Sequence, residues 1–121
     1  MAPSLTALPL FDRLARSASV LIAGAGGGFD VFAGLPLYLA LQSQGKRVYL
    51  ANLTFTRLRD AAVDWMVPHL ARVTSATSGP DAYFPERELA RWLADRGDDG
   101  PVHAFEKVGV EPLRRALERF A

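Results

Sequence analysis

Hydrophobic positions along this chain fall into continuous runs and into stretches where they recur every three or four residues. SVLIAG (19–24) and KRVYLANL (46–53) are runs of the first kind, the pattern of strands covered on both faces. PLFDRLARS (9–17) is of the second kind, with Leu10 and Leu14 four apart, and predicts a short helix leading into the first strand. Residues 29–44 are apolar nearly all round until Gln42 and predict a buried helix. Pro36 would kink that helix, since it cannot donate to Phe32, and the neighbouring Gly34 permits the bend.

Further on, residues 57–67 predict a helix with Thr56 as N-cap and Pro68 as its stop. LARVTSAT (70–77) predicts a third strand, TSGPDAY a loop, and PVHAFEK (101–107) a fourth strand. Between the loop and that strand, Pro85 suits a first helical position, with Glu86 and Glu88 in the first turn, Leu89, Trp92 and Leu93 on the inward stripe, and Gly97 as the stop. A last helix follows Val110, with Leu113, Leu117 and Phe120 on one side and its arginines on a solvated face. Strands alternating with helices predict an α/β fold: a Rossmann-like open, mainly parallel sheet of about four strands with flanking helices, in one domain over residues 1–121.

Composition narrows the chemistry. Half of the 121 residues are hydrophobic, enough for a core without staples. A formal net charge of +1 gives no electrostatic case for nucleic acid or an anionic membrane. With no cysteine, disulfides, thiolate catalysis and sulfur-ligated zinc are excluded. His69 and His103 stand far apart in sequence and neither is matched to an acid or nucleophile by motif, so no metal site and no catalytic residue is assigned. No run approaches the roughly 20 apolar residues that span a bilayer, and the expectation is a cytoplasmic chain.

The chemistry-bearing segment is GAGGGFD (24–30), placed where the first strand meets the following helix. In open α/β sheets ligands bind beyond the carboxyl ends of the strands. Glycine there admits positive φ and lets a ligand approach the backbone. Gly24, Gly26, Gly27 and Gly28 are therefore candidate ligand-binding residues through their amides, and the competing reading is a tight strand-to-helix crossing. The dinucleotide fingerprint is met at Gly24 and Gly26 but has Phe29 at its third glycine, and the phosphate-loop pattern lacks its lysine. GGGFDV resembles the Ser-Gly-Gly-x-Asp-Ser loop of ATP pyrophosphatases without either serine.

Asp30, in the first turn of the helix, is either a capping acid or a contact for a metal or a ligand hydroxyl. Its charge suits a ligand bearing donors or a metal better than a bare oxyanion. Asn52 and Thr54, at the end of the second strand, are candidates for a ribose-like hydroxyl, against ordinary turn chemistry. Tyr83 and Phe84 are candidates for stacking on a base, against a core role. Glu86 is available for acid–base work, against a plain helix-start role. The cofactor implied is a nucleotide, with or without magnesium.

VLIAGAGGGFDVFAGLPLYLAL, GKRVYLANLTFT, YFPERELARWL and GVEPLRRA resemble, in order and spacing, the N-terminal part of an uncharacterised archaeal and bacterial family catalogued as domain of unknown function 1152. Its members are considerably longer. The resemblance implies a Rossmann-like fold sharing the glycine loop, and a chain that is truncated relative to the family. Three functions follow as expectations: a domain binding a nucleotide or a hydroxylated or phosphorylated metabolite; a non-catalytic subunit or remnant packed on a complementary chain or on its own copies; and an ATP-pyrophosphatase-like enzyme.

Overall fold

The computed structural model describes residues 8–79 and 83–120, so residues 80–82 of the expected TSGPDAY loop lie outside the described part. A short helix, α1 (Pro9–Arg16), leads into β1 (Ser19–Gly24); α2 (Gly28–Ala33) and α3 (Leu35–Ser43) cross to β2 (Arg47–Leu53). A 3₁₀ turn over Leu58–Asp60 opens a β-hairpin, β3 (Asp64–Val67) and β4 (Leu70–Val73). Then come α4 (Pro85–Asp95), β5 (Val102–Phe105) and α5 (Val110–Phe120). Among the described residues no helix is long and apolar enough to cross a membrane.

The sheet has five strands in the order β1-β2-β5-β4-β3. β1, β2 and β5 are parallel, with Ile22 opposite Leu50 and Asn52 opposite Ala104. β4 runs antiparallel to β5, and β3 antiparallel to β4. The sheet is thus mixed, and the expectation of a mainly parallel, four-stranded sheet is corrected. What was expected as a helix over 57–67 is a 3₁₀ turn and the first arm of a hairpin.

The physical reason for the hairpin lies in its second arm. Leu70, Ala71 and Val73 are wholly buried against β5, and Pro68-His69 makes the turn that brings β3 alongside. His69 holds φ of 69°, the left-handed region. Its carbonyl accepts the Glu106 amide at 3.0 Å, and its Nδ1 lies 3.0 Å from the Glu106 carboxyl group. The third strand also ends early: from Thr74 the chain turns, with the Thr74 amide donating to Thr77 Oγ1.

Alternation along the strands divides the core between two faces. Leu50 and Val102 pack with Val31, Tyr38, Leu89 and Leu93 under α2, α3 and α4. Ala51, Leu70 and Phe105 pack with Ala116, Leu113 and Phe120 under α5. The long apolar helix is two helices broken at Gly34, with Pro36 in the first turn of α3. It is not buried all round: Val31, Tyr38 and Leu41 face the sheet, while Phe32 and Leu37 are 39% exposed. β1 is an edge strand and only half-buried. Trp92, expected in the core, is exposed beneath the Arg96 guanidinium.

Candidate carboxyl-edge ligand site

Because β1, β2 and β5 are parallel, their carboxyl ends deliver three segments to one edge of the sheet: the glycine loop, residues 54–60 and residues 106–108. The first turn of α4 reaches the same edge. Gly24, Gly26, Gly27, Gly28, Asn52, Thr54 and Glu86, far apart in sequence, become neighbours there.

Gly24 is demanded by packing. A Cβ at that position would overlap the side-chain oxygen of Asn52 and come within 2.9 Å of the Val31 amide nitrogen. Without the side chain, α2 settles directly onto the strand end. Gly27, the residue before α2, holds φ of 81°, a conformation costly for any L-residue with a Cβ. The ring of Phe55 stands over Gly26 and Gly27, and Pro85 of α4 lies against Gly28. These contacts account for much of the glycine content.

The amides are only partly occupied. Tyr83 Oη lies 3.1 Å from the Gly28 nitrogen and accepts its hydrogen bond. Among the described residues the amides of Gly26 and Gly27 meet no acceptor. The rings around them are exposed, Phe55 by 55% and Tyr83 by 47%. Phe84, by contrast, is buried in the core.

Asn52 and Glu86 form a polar pair beneath this loop, both 0% exposed. Asn52 Nδ2 donates to Glu86 Oε1 at 2.9 Å and to the Gly27 carbonyl at 3.2 Å. Asn52 thus ties together β2, the glycine loop and the first turn of α4, where the helix dipole favours an acid. Among the described residues Asn52 Oδ1 and Glu86 Oε2 have no hydrogen-bond partner. A buried acceptor left unpaired costs roughly 1–3 kcal/mol. The pair was not legible as a unit, because Glu86 reads as an ordinary first-turn acid and its partner lies 34 residues away.

The other expected contacts divide. Thr54 is buried, and its hydroxyl accepts the Thr56 amide at 3.0 Å; Thr56 in turn donates to the Tyr83 carbonyl at 2.9 Å. The Thr54 hydroxyl therefore serves local backbone, and the Thr56 hydroxyl ties this segment to the residues before α4. Asp30 is exposed on the first turn of α2. No group of three or more acidic or histidine side chains that could hold a metal is found among the described residues.

Next to the loop lies a cleft of about 520 Å³, lined by residues 54–60 and 106–108, a size that suits a small metabolite. Phe55 separates it from the glycine amides. Lys107 lies over the Phe55 ring, 5.3 Å from its centre, and Arg57 is exposed on the same wall. Arg59 is paired with Glu106 at 3.1 Å. The cleft wall thus carries Arg57 and Lys107 around an aromatic ring, with the acidic Asp60 and the paired Glu106 on the same lining.

A second groove, of about 780 Å³, lies on the α5 face between Leu21, Tyr49, Arg47, Arg72 and Phe120. His103 is buried there, its Nδ1 3.1 Å from the Leu50 carbonyl and its ring edge-on to Phe120. Burial holds the His103 imidazole below its ordinary range, opposed by the Leu50 hydrogen bond and reinforced by Arg72. None of the residues singled out in the sequence for ligand binding lines this groove. Comparison with family models, curated proteins and solved structures finds no match to the chain.

Proposed function

We propose that this chain is a small-molecule-binding domain that holds a nucleotide or a hydroxylated, phosphorylated metabolite at the carboxyl edge of its parallel strands. The observation that carries the reading is the pair of amides at Gly26 and Gly27 that meet no acceptor among the described residues, beside a cleft with Lys107 and Arg57 on its wall. Two open N–H groups and two flexible cations are suited to phosphate oxygens. Phe55 offers a ring for a base or sugar to stack on once it turns off the glycines. The family resemblance, carried by residues 20–41, 45–56, 83–93 and 109–116, is part of this proposal.

Thermal denaturation of the full chain with AMP, ADP, ATP and hexose phosphates, with and without magnesium, tests it. A ligand that binds only the folded state raises the melting temperature by mass action; at 100 times Kd the gain is about 2.7 kcal/mol. The expected result is a rise with at least one of these phosphates. The double variant Lys107→Ala, Arg57→Ala should lose it, while its unliganded melting temperature stays put because both side chains are exposed. No rise with any member would contradict the reading. Release of pyrophosphate from ATP in the same samples would point to the pyrophosphatase alternative.

A further inference from the structure

We infer that the ligand held at the carboxyl edge carries a primary amino group, received beneath the glycine loop by Asn52 Oδ1 and Glu86 Oε2. The inference rests on the ligand-binding reading above and narrows its substrate class.

The orientation of the Asn52 amide is settled by its surroundings. Its Nδ2 faces two acceptors, Glu86 Oε1 and the Gly27 carbonyl, and reversing it would set oxygen against oxygen at both. The same two bonds leave Asn52 Oδ1 and Glu86 Oε2 as buried acceptors with no donor among the described residues. Each of these oxygens accepts an N–H or O–H hydrogen. A phosphate or carboxylate would add only further acceptors.

Hydrogen count and charge then select among donors. In the free chain one water can bridge the two oxygens; among ligand groups, a hydroxyl has one hydrogen and serves one of them, whereas an amino group has two and an ammonium three. Among the described residues no lysine, arginine or histidine is ion-paired with Glu86. A buried carboxylate is poorly stabilised without a cation beside it, and a charged nitrogen donor also makes the stronger hydrogen bond.

Neither Asn52 nor Glu86 lines the cleft, and Asn52 Oδ1 lies against Gly24. Thr54, on the cleft wall, is two residues beyond Asn52, about 7 Å along an extended chain, so an amine reaches the pair when the glycine loop lifts. The lid over the pair is the glycine loop itself, through the Gly27 carbonyl. An amine seated there leaves the rest of its molecule toward Phe55, Arg57 and Lys107, so the other end is anionic. Amino-sugar phosphates have this form with a charged amine, and aminopurine nucleotides with a neutral one that offers two hydrogens without the charge.

The test uses matched pairs on the full chain: glucosamine 6-phosphate against glucose 6-phosphate, and AMP against IMP. The amino member of at least one pair should bind about tenfold more tightly, a difference of about 1.4 kcal/mol. It should also shift the Asn52 side-chain amide signals in a ¹H–¹⁵N spectrum, with its partner leaving them in place. Glu86→Gln, which keeps an oxygen for Asn52 Nδ2, should erase the difference while the unliganded variant melts close to the wild type. Equal binding of both members, unchanged by Glu86→Gln, overturns the amino-group inference and leaves the ligand-binding reading standing. No binding by any of the four overturns the amino-group inference, and the ligand-binding reading falls with it only if ADP and ATP, with and without magnesium, also leave the melting temperature unchanged. Should Glu86→Gln fail to fold, the Asn52 signals of the wild-type chain decide alone.

Discussion

At the scale of single residues, the glycine cluster separates into positions with different jobs. Gly24 has its Cβ space filled by the Asn52 side chain and the first turn of α2, and Gly27 holds a left-handed conformation. Gly24→Ala should therefore destabilise the chain by about 1–3 kcal/mol, as overpacking does, read as a lower midpoint in urea. An unchanged midpoint would mean that α2 does not lie on the strand end. That these glycines mark a strand-to-helix crossing was legible in GAGGG. That Phe55 and Tyr83 come back over them was not, because those contacts span about 30 and 55 residues and no local spacing reports them. Asn52 reads as a hydroxyl contact in the sequence, yet in the fold it first serves Gly27 and Glu86.

At the scale of elements, what local pattern decides was legible and what pairing decides was not. Pro85 with two acids in the following turn announced α4, and the apolar runs at 19–24 and 46–53 announced β1 and β2. Leu58, Ala61, Ala62 and Trp65 imitate a helical stripe, but Val63 and Val67 are β-branched and the segment is drawn into a hairpin once β4 pairs with β5. The break at Gly34 follows the same logic. A side chain there would strike Ile22 of β1, and Pro36 then starts a fresh helix.

The crossing from α3 to the α4–β5 loop is held by Asp98. Tyr38 Oη donates to its carboxylate, joined by Gln42 Nε2 at 3.1 Å and the Gly100 amide at 3.0 Å. Burial pushes the Asp98 carboxyl up, but these three donors outweigh it and hold it below the usual range. The Tyr38 hydroxyl, buried and bonded to that carboxylate, is pushed well above its ordinary value. A carboxyl depressed in the folded state contributes stability that is complete above its unfolded value, about 4. It is lost as pH falls through the folded one. Asp98→Asn should cost on the order of 1 kcal/mol at neutral pH and flatten the fall in melting temperature below about pH 4. An acid limb as steep as the wild type's would assign that sensitivity to other groups.

At the scale of the whole molecule, three parallel strands carry their carboxyl ends to one edge, and an antiparallel hairpin extends the sheet on the side of β5. The edge gathers the glycine loop, the cleft bearing Arg57 and Lys107, and the buried Asn52–Glu86 pair; the α5 face holds the separate groove around His103. The account requires that ligands choose the first. The most direct measurement is a ¹H–¹⁵N titration of the full chain with AMP and, in parallel, glucosamine 6-phosphate. The predicted result is that the largest backbone shifts fall on Gly26, Gly27, Gly28 and Lys107. Shifts confined to Leu21, Tyr49, His103 and Leu117, or none with either compound, would contradict it.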